Sequence, residues 1–164
     1  MSYIGVNNQA IHTAPLIRRE FPYQAFSSNE RRGIFSKLYY FALNCDIQYV
    51  SFLYKKAEYE NIFKLEAAMA RDLSRFIRSN LEYFQSFDNV ILYYDNGQHE
   101  LNRILNTVLA TELYSYDIRK VNPQEYRLFQ VADLICTLEL LETKLVSGDL
   151  SKSELLLFHS GRDL

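Results

Sequence analysis

Apolar positions along this chain follow two spacings, and the switch between them marks its elements. Ser27-Ser-Asn-Glu30 has the spacing of a capping box, so a helix is expected over 28–44. Residues 46–54 are dense in aromatic and branched side chains, with Ile47, Val50, Phe52 and Leu53 too closely spaced for a half-exposed strand. That pattern predicts an inner strand covered on both faces. From Tyr59 to about residue 86, Ile62, Phe63, Leu65, Met69, Leu73 and Phe76 recur every three or four residues, which predicts one long amphipathic helix. Asp88-Asn89 then turns the chain into a strand over 88–94, and Asn96-Gly97 ends it before a helix over 98–113.

The segment 116–121 is shorter and more polar, the pattern of an edge strand. Asn122-Pro123 opens a helix expected over 124–145, ending before Ser147-Gly148, and Ser151-Lys-Ser-Glu154 is a second capping box that starts a short terminal helix. Residues 1–26, with weak periodicity and Pro15 and Pro22, read as an extended or looped arm. Strands alternating with helices predict an α/β domain with a small, mostly parallel sheet packed by long helices. No repeat or linker divides the 164 residues, so one domain over 1–164 is expected.

Composition adds limits rather than a function. A hydrophobic share of 48% with 13 tyrosines and 11 phenylalanines suits a folded chain, not a disordered one. The net charge of -2 gives no overall attraction to nucleic acid or anionic membrane, so such binding would need a local patch. Arg18, Arg19, Arg31 and Arg32 are interspersed with Glu20 and Glu30, which favours solvated ion pairs. No apolar run approaches the length of a membrane span, and the amino terminus lacks the pattern of a secretory signal, so a cytoplasmic protein is expected. Cys45 and Cys136 lack the spacing of zinc or redox motifs and are expected to be buried packing residues.

Two acids carry the candidate chemistry. Asp95 ends the apolar run Val90-Ile-Leu-Tyr-Tyr-Asp95, where the carboxyl end of a strand in an open α/β sheet collects ligands. A carboxylate there also suits a helix cap. Asp133 stands among Val131, Ala132, Leu134 and Ile135, where an unpaired buried charge is costly unless the side chain turns outward. Gln130, three residues earlier, shares its helix face. His12, His99 and His159 fall into no metal-ligand spacing, and no phosphate loop, dinucleotide fingerprint or nucleophile elbow is present.

The segments Ile11-His-Thr-Ala-Pro-Leu-Ile-Arg-Arg-Glu20, Val90 to Gln98 and Tyr126-Arg-Leu-Phe-Gln-Val-Ala-Asp-Leu-Ile135 together resemble the bacterial domain of unknown function 3800. Gln-Val-Ala-Asp-Leu-Ile is the most specific of them. The resemblance covers nearly the whole chain and implies a ribonuclease H-like fold. In such relatives, acids from a first strand, a later strand and a late helix hold divalent metals that activate water against a phosphodiester. Asp95 and Asp133 match the second and third positions, as catalytic and metal-binding residues for magnesium or manganese, with Gln130 and His12 as supporting residues.

The family's opening Asp-Glu-Ser-Gly strand has no counterpart before His12, and Ala14 stands where glycine is expected. The expectation is therefore a partial ribonuclease H-like domain with a remnant acidic metal site and no independent catalysis. An active metal-dependent nuclease is the rival reading, and an interaction module pairing through an exposed sheet edge at 46–54 is the third. The implied partner is a second copy of the chain or a separately encoded amino-terminal part.

Overall fold

The computed structural model describes residues 10–95, 99–122 and 124–155, with the side chains of 99 and 100 outside the description. Among the described residues, six α-helices and two strands are assigned in the order α1 (Thr13–Arg18), α2 (Ser28–Leu43), α3 (Ile62–Ser79), α4 (Leu81–Gln85), β1 (Val90–Asp95), α5 (His99–Glu112), β2 (Tyr116–Val121) and α6 (Arg127–Ser147). The class is α/β, as the alternation predicts. The chain forms two compact units, the first from 1–51 and 123–164, the second from 52–122.

In the first unit α1, α2 and α6 pack together around Ile11, Leu16, Tyr23, Leu38, Val131 and Leu134, each at most 2% exposed. Fully burying such side chains stabilises by roughly 1.5–3 kcal/mol each. The Ser27 capping box forms as expected: the Ser27 hydroxyl accepts the Glu30 N–H, and the Glu30 carboxylate accepts the Ser27 N–H at 2.8 Å. Helix α6 stops at Gly148, whose φ of 78° is the left-handed cap that glycine adopts without strain. The second capping box closes a helical turn over 152–155, where Glu154 accepts the Ser151 N–H at 2.8 Å.

In the second unit β1 and β2 pair in parallel, Val90 opposite Tyr116 through Asp95 opposite Val121, joined by the crossover helix α5. Val90, Leu92, Tyr116 and Ile118 pack on a core of Ile77, Ile104, Val108, Leu109 and Leu113. Ion pairs Arg103–Glu66 and Arg78–Glu112 tie α5 to α3. On the opposite sheet face Ile91 is 42% and Tyr93 37% exposed. A parallel sheet is normally covered on both faces, and two strands alone are marginal.

Five sequence expectations are corrected. Residues 46–54 form no strand: they carry no regular structure, no described strand pairs with them, and Tyr49, Val50 and Leu53 are exposed. Their strand-like composition cannot make a ladder without a partner. The long helix over 59–86 starts at Ile62, capped by the Asn61 side chain on the Lys64 N–H, and breaks at Asn80 into α3 and α4. The Asn80 amide donates to the Phe76 carbonyl at 2.8 Å, a local bond that competes with continued helix.

The segment expected as an arm instead carries α1, held in the core by Leu16 and Ile17. Helix α6 begins at Arg127, later than the Asn122-Pro123 signal, and Pro123 lies outside the described residues, as do Asn96-Gly97 and His159. Neither cysteine is a fully buried packing residue: Cys45 is half-buried and Cys136 exposed. No helix among the described residues is long and apolar enough to cross a membrane.

Candidate functional site

Helix α6 places Gln130, Val131, Leu134, Thr137 and Leu141 on its buried stripe. Asp133 stands beside that stripe, half-buried, and its position meets the start of α1. His12, the residue before α1, offers no side-chain cap to the helix amides. The Asp133 carboxylate supplies the missing acceptor, taking the Thr13 main-chain N–H on Oδ2 at 2.6 Å. A negative charge at a helix amino end also meets the positive end of the helix dipole.

Tyr23 completes this polar cluster. Its hydroxyl accepts the His12 main-chain N–H at 3.1 Å. Burial pushes the phenol pKa upward and the Asp133 charge adds to that, against the opposing effect of the His12 amide. The Thr13 hydroxyl is fully buried and meets no hydrogen-bond partner among the described residues. Gln130 is 7% exposed, one turn before Asp133. His12 enters the cluster through its backbone while its side chain is exposed.

Asp95 belongs to the second unit, as the last residue of β1, beside Val121 of β2. It falls on the same sheet side as Ile91 and Tyr93, four and two residues back along a strand of period two. On that face Arg119 lies 5.8 Å from the Tyr93 ring centre and pairs with Asp117 at 2.8 Å. Asp95 and Asp133 are thus carried by different units. Among the described residues no group of three histidine, cysteine or acidic side chains is placed to hold a metal. Among the described residues the donors around Asp133 are one carboxylate, already engaged by Thr13, and neutral groups, a set that does not by itself fit magnesium or manganese.

The amino-terminal arginines are structural rather than a free basic patch. Arg31 donates from Nη1 to the carbonyls of Leu16 and Ile17, at 3.0 and 3.1 Å, capping the end of α1. Arg18 pairs with Glu154, and Arg19 donates to the Gln24 carbonyl. Sequence reasoning missed a second feature of the first unit, a mainly apolar groove of about 210 Å³ between residues 47–51 and the α6 residues Leu128, Val131, Ala132, Ile135 and Cys136. Its signal was present in the apolar run at 47–50. Compared with known proteins, the chain matches no family model, no curated protein and no solved structure.

Proposed function

We propose that this chain is a partial ribonuclease H-like domain, of the domain of unknown function 3800 type, that works as a strand-receiving interaction module. In this reading Asp95 and Asp133 remain from an acidic metal site, and the chain does not cleave phosphodiesters alone. The observation that carries it is the run 46–53: neither helical nor paired with any described strand, and exposing Ile47, Tyr49, Val50, Phe52 and Leu53. An apolar segment that no described strand pairs with can receive an incoming strand. The partly exposed Ile91 and Tyr93 on the β1–β2 sheet support the same reading, because a parallel sheet is normally covered on both faces.

The partner is a polypeptide with a complementary extended segment, either a second copy of this chain or a separately encoded amino-terminal part. Light scattering on the purified chain and on Val50→Pro tests this, since proline removes a ladder donor at an exposed position. The expected result is an oligomer, or a complex with a co-purified chain, that Val50→Pro dissociates without unfolding the protein. A folded monomer that takes up no partner strand rules the reading out. Magnesium- or manganese-dependent cleavage of DNA or RNA by the isolated chain, lost in Asp133→Asn, would replace it with a metal-dependent nuclease.

A further inference from the structure

Helix α3 carries Arg71, Arg75 and Arg78 at i, i+4 and i+7, a spacing that aligns them on one face. With Ser74 and Ser79 they line a surface cleft of about 380 Å³. The guanidinium-bearing side chains are 65%, 69% and 65% exposed. Their acidic neighbours are far less accessible, Asp72 at 26% and Glu112 at 7%. The charge that solvent meets at this cleft is therefore positive, although the whole chain is at -2.

The two acids hold the arginines in place without exhausting them. Asp72 Oδ1 lies 3.2 Å from Arg75 Nη1 and 3.9 Å from Arg71 Nε, while its Oδ2 accepts the Tyr54 hydroxyl at 3.1 Å. Glu112 accepts Arg78 Nε at 2.7 Å on one oxygen and the Ser74 hydroxyl on the other. A guanidinium has five N–H donors, so each arginine keeps several directed outward. Arginine forks with neighbouring hydroxyls match the oxygens of phosphate.

We infer that the Arg71–Arg75–Arg78 face of α3 binds the phosphodiester backbone of a nucleic acid strand, through charge and without reading its bases. The seven-residue span covers about 10 Å at 1.5 Å per residue, longer than one phosphate group. A single phosphate would engage only part of such a row. The cleft holds no aromatic residue among those that line it, so stacking on bases does not enter.

The test is fluorescence anisotropy of a labelled single-stranded oligonucleotide with the full chain across about 50–200 mM salt. Wild type is expected to bind with a negative salt slope, and Arg71→Ala/Arg75→Ala to bind roughly tenfold more weakly at the low end, with a slope shallower by about 1.4. Arg75→Glu should weaken binding further, and Lys37→Ala, an exposed cation on α2, should leave it unchanged. Circular dichroism confirms that the variants are folded. Absence of wild-type binding at low salt, equal binding by the double variant, or an equal loss in Lys37→Ala would overturn the assignment. So would displacement by tripolyphosphate at concentrations matching the oligonucleotide, which would mark a site for free polyphosphate.

Discussion

Asp133 and Thr13 are joined by a 2.6 Å hydrogen bond across 120 residues of sequence, the carboxylate of α6 serving as the cap that α1 lacks locally. Removing it in Asp133→Ala is expected to destabilise the first unit by about 1–2 kcal/mol, the usual cost of deleting a cap. Asp133→Asn keeps a carbonyl acceptor and should cost less than half as much. Urea unfolding of the two variants checks this. Equal losses would mean that the carboxylate contributes through its charge or packing instead of as an acceptor.

Glu154 predicts a pH dependence. Burial pushes its carboxyl up, but the Ser151 N–H, the Lys144 ammonium and the Ser151 hydroxyl outweigh burial and bring its pKa from 4.5 to about 2. Because the folded value lies below the unfolded one, the resulting stability is complete above about 4.5 and lost as pH falls toward about 2. The difference amounts to about 3 kcal/mol. Thermal melts of wild type and Glu154→Gln should differ most near neutrality and converge at about pH 2. A gap that stays constant across this range would contradict the assignment.

The strand-receiving reading predicts the behaviour of individual amides. Without a described strand to pair with, the amides of 48–53 should exchange with solvent far faster than those of β1 and β2. Pairing with a partner strand should then protect alternate amides in the run. Hydrogen exchange followed by NMR, with and without the partner, distinguishes this from a partner that docks only on side chains.

Ser27→Ala removes one half of a reciprocal cap and should lower stability by about 1 kcal/mol. Glu30→Gln keeps a hydrogen-bonding side chain and should cost less. Chemical denaturation measures both.

Features decided by neighbours in sequence were the legible ones. Both capping boxes, the span 116–121 of β2 and the Gly148 stop follow from residues within a turn of each other. Features decided at a distance were not. Periodicity over 59–86 says nothing of the Asn80 side chain bonding to Phe76. A strand-like composition at 46–54 does not say whether another strand will pair with it, and none of the described strands does. Asp133 was legible as an anomaly, an acid on an apolar helix, but its hydrogen bond to Thr13 arises only when α1 meets α6. The arginine row on α3 had a readable spacing, hidden within a helix whose apolar face drew the reading.

The first unit is assembled from both ends of the chain, with 52–122 intervening between its halves. Leu38 of α2 and Leu134 of α6 share one core but are separated by that whole stretch. During synthesis at about 5–20 residues per second, α1 and α2 wait roughly 5–20 seconds for α6 to leave the ribosome. The middle of the message is therefore the first part able to complete a core, and the apolar faces of the opening helices are on offer to chaperones in the interval.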